Sequence, residues 1–245
     1  MLSVAEPYFR HMYYADMTPC IKEVGGNSGS EKLLVGGLGK GGKGYFCLDV
    51  TDPWSNTEGN AADWVLWEYP HWDSPTAEKD NMGYTFSEAF IVQSYWTDSA
   101  DATNHWITVF GNGYASDSGT AALYVLNAKT GELLKMIDTG ALGNNGMSTP
   151  TPVDVNGDYT VDFVYAGDLQ GNVWKFDLRD SDPANWRSAY YLDNATPTYY
   201  DDDTPQPLFR ARGREKDSLG NYTIPSVLYG QPITTKVNVI RHCGL

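Results

Sequence analysis

The sequence predicts an all-β chain built as a β-propeller, an incomplete ring of about three four-stranded antiparallel blades plus part of a fourth. Three observations predict it. One strand–turn–strand pattern recurs three times, its apolar runs are short and punctuated by glycine, and long helical periodicities are scarce in a chain rich in Tyr, Trp and Gly.

The first copy is Lys32–Gly37 followed by Lys43–Asp49, the second Trp106–Gly111 followed by Ala122–Asn127, and the third Phe163–Gly167 followed by Gly171–Asp177. Each second strand ends in Leu or Phe and then Asp or Asn. A lead strand precedes each copy, at Pro19–Lys22, Ala89–Val92 and Pro150–Val153, and a fourth copy is expected to begin at Pro232–Thr235. Trailing strands follow at Trp64–Glu68 and Glu132–Ile137. Four strands per repeat make a propeller blade, and the Gly-flanked apolar runs suit blades packed on both faces. The blades are placed at roughly 18–70, 84–140 and 148–195, with a partial blade to 245, all in one propeller fragment. A β-sandwich of unrelated hairpins explains the short strands but leaves the threefold recurrence unexplained.

With 245 residues the chain can bury a sizeable core without disulfides. The formal net charge of −14 repels nucleic acid and anionic lipid and attracts cations. No stretch has transmembrane length. Met1–Met12 is too polar for a signal peptide, and the tail Thr234–Leu245 reads as a strand that ends abruptly. A fragment of a longer exported protein is therefore expected. Cys20, Cys47 and Cys243 fit neither a zinc site nor a redox pair and read as small buried hydrophobes. His11, His71, His105 and His242 are scattered, and no catalytic set can be nominated.

The stretch that carries chemistry is Asp154-Val155-Asn156-Gly157-Asp158-Tyr159-Thr160-Val161-Asp162. Side-chain oxygens fall at positions 1, 3, 5 and 9, and Thr160 at position 7 can offer its carbonyl. Calcium takes about six to eight oxygen ligands, and alternate residues of a tight loop point to one centre. The metal ligands are thus expected to be Asp154, Asn156, Asp158, Thr160 and Asp162, with Ca2+ as the bound ion. The loop departs from an EF-hand. Tyr159 stands where the turn glycine would be, Tyr165 where the closing Glu would be, and strands flank it instead of helices. Gly157 is expected to take over the turn. A simpler hairpin on Asn156-Gly157 would not need three aspartates that repel one another.

Two other stretches read as structural. Asp201-Asp202-Asp203 is a solvated charge run. Gly36–Gly44 lacks the Gly-Lys-Ser/Thr ending of a phosphate loop and precedes a strand, so a long flexible hairpin turn is expected.

Longer runs carry a resemblance. They are Leu34–Phe46 continuing through Leu48–Pro53, Val109–Tyr114 with Ser116–Gly119, Ser148–Asp158, and Val164–Leu178. On these the chain resembles the C-terminal propeller of the PilC/PilY family, the tip-associated proteins of bacterial type IV pili. The resemblance implies a non-enzymatic cell-surface protein at the pilus tip or outer membrane. Such a protein supports pilus biogenesis, opposes retraction, and contributes to adhesion and twitching motility. Minor pilins at the tip and a surface or host receptor are the implied partners. A regulatory calcium site in the Asp154–Asp162 loop is implied as well. Two other functions compete. Tyr124–Leu134 looks like a blade signature of calcium-dependent quinoprotein dehydrogenases, although no Asp base or vicinal Cys pair accompanies it. A calcium-stabilised binding scaffold could instead stack sugars on Trp54, Trp72 or Trp96.

Overall fold

A computed structural model describes residues 12–26, 29–55, 57–191, 204–211, 215–216, 222–223 and 230–240. The first sheet has the order β1-β2-β3-β4, from β1 (Cys20–Gly26), β2 (Gly29–Gly37), β3 (Tyr45–Asp49) and β4 (Val65–Tyr69). The second has β5 (Phe90–Gln93), β6 (Trp106–Gly111), β7 (Ala122–Asn127) and β8 (Leu133–Asp138), again in chain order. The third runs β9 (Thr151–Val153), β10 (Phe163–Gly167), β11 (Asn172–Asp177) and β12 (Arg187–Ser188). All their pairings are antiparallel. One short helix, α1 (Thr76–Asn81), lies between the first two sheets in sequence.

The repeat is physical as well as sequential. The polar residue that ends each third strand takes the N–H two residues on: Asp49 from Thr51, Asn127 from Lys129 and Asp177 from Arg179. Such side-chain turns end a strand and release the chain toward the next one. The ladder shifts register at the same place in two sheets, between Cys47 and Leu48 and between Val125 and Leu126.

Two cores hold the three sheets side by side. The first joins Leu33, Val35, Tyr45, Cys47, Trp67 and Tyr69 of the first sheet to Phe110, Tyr124 and Leu126 of the second. Tyr45 stacks on Phe110 at 4.0 Å, and the Trp67 indole donates to the Ala128 carbonyl at 2.9 Å. The second core joins Ile107, Val109, Leu123 and Val125 to Val164, Ala166, Trp174 and Phe176 of the third sheet. Every residue of β6 and β7 is therefore buried, because successive side chains serve opposite cores. In β11 only alternate residues are buried. Packing on both faces thus holds for the middle sheet alone among the described residues.

The linkers between sheets are pinned by backbone approach. Gly146 lies against the Gly113 carbonyl, where a Cβ would come within 2.1 Å, so a larger residue would force the second and third sheets apart. Asp168, fully buried at the end of β10, accepts from the N–H groups of Gln170 and Asn172. It also accepts from the side chains of Asn145, Asn172 and Trp174. Five donors replace the water that this carboxylate gives up.

Four expectations need correction. Gly36–Gly44 is not a free turn. Gly36 and Gly37 belong to β2, Leu38 N–H bonds the Gly44 carbonyl, and the Thr85 hydroxyl accepts from Gly39 N–H at 2.9 Å. Pro232–Thr235 forms no strand, and neither do residues 236–240; the hydrogen bonds of this stretch go elsewhere. Ile233 N–H meets the Asp168 carbonyl, the Thr234 and Thr235 carbonyls accept from the Tyr114 and Ser148 hydroxyls, and the Val237 carbonyl accepts from Thr151. The rest of the stretch expected as a strand, to Leu245, lies outside the described residues, as do Cys243, His11, His242 and Asp201–Asp203. Trp96 is half-buried and packs on the second core, whereas Trp54 and Trp72 are exposed. Finally, the outer edge of the third sheet is split. β12 pairs with Phe176 and Asp177, while β13 (Phe209–Arg210) pairs with Asn172 and Val173. A small ladder of β14 (Glu215–Lys216) and β15 (Tyr222–Thr223) stands apart.

Candidate cation-binding loop

The loop from Asp154 to Asp162 joins β9 to β10. It is docked on the second sheet: Val161 N–H donates to the Gln93 carbonyl at 2.8 Å, and Thr160 bridges Gln93. Its winding requires two left-handed residues, Gly157 at φ 85° and Tyr159 at φ 69°. Glycine takes that conformation freely, but a tyrosine is strained in it. The Tyr159 side chain is 86% exposed, so its bulk lies away from the loop centre.

Backbone N–H groups orient each predicted side chain. The Asp154 carboxylate accepts from Gly157 at 2.6 Å and from Tyr159 at 2.7 Å. Asn156 Oδ1 accepts from Asp158 N–H at 2.9 Å, and Asp158 Oδ1 from Thr160 N–H at 2.8 Å. Asp162 is buried, and its Oδ2 accepts from Val155 N–H at 2.7 Å. The Thr160 N–H bond, helped by donors from Asn156 and Tyr95, holds the Asp158 carboxyl below the usual carboxylate range.

Sequence reasoning missed Tyr95, which follows β5 on the neighbouring sheet. Its hydroxyl lies 2.9 Å from Asp158 Oδ2 and 3.2 Å from Asp162 Oδ1, and Asn156 Nδ2 reaches it at 3.2 Å. Donation to Asp158 raises the Tyr95 phenol above its ordinary value. No local signal could have found this residue, because it lies 63 positions from Asp158.

The donor set has the chemistry of a hard-cation site: three carboxylates, an amide and a carbonyl, all oxygen. The residues fit calcium in kind. As they stand, no three Asp, Glu, His or Cys side chains among the described residues close on one point as metal ligands do. The Tyr95 hydroxyl and the Asn156 amide nitrogen hold the loop's inward oxygens instead.

The remaining candidates form no second site. Cys20 and Cys47 are both free and lie on either side of Val35, in strands that do not adjoin. Burial, with Asp49 nearby, pushes the Cys47 thiol up to about 12 and leaves it unreactive. His71 pairs with Asp73 at the surface, and His105 with Thr97 and the Trp96 carbonyl. No helix among the described residues is long and apolar enough to cross a membrane.

Residues 4–222 match the family model of the PilY1 beta-propeller domain. The chain belongs to the PilY1 β-propeller family. Within the family it is 34% identical to the type IV pilus biogenesis factor PilY1 homolog of Xylella fastidiosa, over 96% of this chain and 14% of that protein. It is also 34% identical to the type IV pilus biogenesis factor PilY1 of Pseudomonas aeruginosa strain UCBPP-PA14, over 95% of this chain and 18% of that protein. The crystal structure of the P. aeruginosa PilY1 C-terminal domain matches with a TM-score of 0.68 and 29% identity, over 94% of this chain and 42% of that one. The chain thus spans less than a fifth of the two full-length relatives. These matches agree with the resemblance and with the propeller architecture read from the sequence.

Proposed function

We propose that this chain is a propeller portion of a type IV pilus biogenesis factor acting at the cell surface, at the pilus tip or outer membrane. Its partners are minor pilins and a surface or host receptor, and it acts by binding, without catalysing a reaction. The Asp154–Asp162 loop binds one calcium ion, through Asp154, Asn156, Asp158, the Thr160 carbonyl and Asp162. Calcium there regulates pilus extension and retraction, and with them attachment and twitching motility. The pilus reading is supported above all by the match to named pilus biogenesis factors over 95–96% of the chain.

The calcium reading is supported by the pre-oriented oxygen set just described. The three carboxylates are held by four backbone N–H bonds, those of Gly157, Tyr159, Thr160 and Val155. Among the described residues, none of their oxygens is paired with Lys, Arg or His. An external cation would supply the missing positive charge and relieve the repulsion among the three carboxylates.

Gene deletion with complementation tests both parts. Loss of surface pili on deletion, restored by the wild-type full-length protein, is the expected result. An Asp154→Ala/Asp162→Ala protein is expected to restore pili but leave twitching insensitive to calcium chelation. Normal piliation after deletion would overturn the pilus reading. An unchanged calcium response in the variant would overturn the regulatory one.

A further inference from the structure

We infer that Tyr95 is the affinity-setting residue of the Asp154–Asp162 loop: its hydroxyl competes with a cation for the carboxylate oxygens that face it and must leave for the ion to bind. The inference rests on the reading of this loop as a calcium site. Its basis is which oxygens are already committed. Asp158 Oδ1 is held by Thr160 N–H, and Asp162 Oδ2 by Val155 N–H. The oxygen that each carboxylate turns away from the backbone is Asp158 Oδ2 or Asp162 Oδ1. Both of these meet the same Tyr95 hydroxyl, at 2.9 and 3.2 Å.

A phenol carries one proton, so it can donate fully to only one of the two carboxylates at a time. The Asn156 amide nitrogen completes the set, 2.9 Å from Asp158 Oδ2 and 3.2 Å from the hydroxyl. Two N–H or O–H donors thus stand where a cation would meet acceptors. Binding exchanges them: the hydroxyl swings out, and Asn156 presents its amide oxygen. Tyr95 follows β5, whose Gln93 holds Thr160 and Val161 of the loop. Its release therefore carries the binding event from the third sheet to the second.

The rest of the molecule offers weaker candidates. The groove between β4 and the Thr130–Leu133 turn has nothing to say what would fill it. The buried Asp168 is fully satisfied by its five donors.

The test compares calcium titrations of the chain and of Tyr95→Phe, which keeps the ring and removes the hydroxyl. Circular dichroism melts establish that both are folded. One net hydrogen bond of competition corresponds to calcium binding about threefold to tenfold tighter in Tyr95→Phe. In the wild type, 3-fluorotyrosine placed at position 95 is expected to shift its fluorine resonance on saturation with calcium. Equal or weaker binding by Tyr95→Phe, with the wild type binding normally, would overturn this inference and leave the calcium site standing. An unmoved resonance at saturation would do the same. No binding by either folded protein would overturn the calcium site and the inference with it.

Discussion

Two acidic loops occupy equivalent places in adjacent sheets, and they neutralise their charge differently. The loop between β5 and β6 carries Asp98 and Asp101; the loop between β9 and β10 carries Asp154, Asp158 and Asp162. In the first, the chain supplies the partners. Asp98 accepts from Ala100 N–H and from the buried amides of Asn104 and Asn127. Asp101 accepts from Thr103, and the Lys129 ammonium sits 3.0 Å from Glu31 and 4.0 Å from Asp101. In the second, backbone N–H groups, the Asn156 amide and one phenol do the holding, and no ammonium or guanidinium is paired with it among the described residues. The number of carboxylates is a poor guide to a cation site. What distinguishes the second loop is that none of its carboxylates is paired with Lys, Arg or His among the described residues, which is the ground for proposing an external cation there.

The largest expected difference between the loops is in thermal melting. At about 100 times its dissociation constant, calcium adds ~2.7 kcal/mol, or roughly 5–10 °C for a chain of this size. Asp162→Ala is expected to abolish that increment. Asp98→Ala is expected to lower the melting temperature equally with and without calcium, because its partners are internal. A calcium increment that survives Asp162→Ala would break the distinction.

Next in size is Lys129→Met. It removes the internal cation of the first loop and leaves Glu31 and Asp101 facing each other. A loss of about 1 kcal/mol is expected by chemical denaturation, at the upper end for a partly exposed pair. Calcium affinity should be unchanged.

Acid should affect the two loops alike. The carboxyls of Asp98, Asp101 and Asp158 are all depressed. The leading causes are the N–H of Ala100, the hydroxyl of Thr103 and the N–H of Thr160, respectively. A depressed carboxyl stabilises the fold above its unfolded value, near about 3.9, and loses that contribution as pH falls through its lower folded value. Both loops should therefore hold from neutrality down to about pH 4 and loosen below it, as followed by carboxyl NMR titration.

The smallest effect is expected from Tyr159→Gly. It relieves a left-handed tyrosine, worth roughly 1 kcal/mol, and frees the unfolded chain by a similar amount. These opposing contributions nearly cancel, so stability by chemical denaturation should change by less than about 1 kcal/mol, and calcium affinity should change less than about threefold because the Tyr159 side chain is exposed and lies away from the ligands.

What the sequence made legible follows from distance along the chain. The strands at Trp106–Gly111, Ala122–Asn127 and Phe163–Gly167 were readable because continuous apolar runs flanked by Gly report local burial. The loop's own donors were readable because they alternate within nine residues. Tyr95 and Lys129 were not, since each reaches its loop through the packing of one strand on another. The outer edge of the third sheet escaped for another reason: Arg187–Ser188 and Phe209–Arg210 are each too short to show a period. Pro232–Thr235 misled because an apolar, β-branched run reads as a strand whatever its hydrogen-bond partners are. Here those partners include the hydroxyls of Tyr114 and Ser148.

On the proposed reading, the loop at Asp154–Asp162, and not the one at Asp98–Asn104, takes an external cation. Calorimetric calcium titration of the chain tests it most directly, beside an Asp154→Ala/Asp162→Ala double variant and an Asp98→Ala/Asp101→Ala double variant. One calcium per chain, lost in the first variant and kept in the second, is the expected result. Absence of binding by the folded wild type, or binding lost only with Asp98 and Asp101, would contradict it.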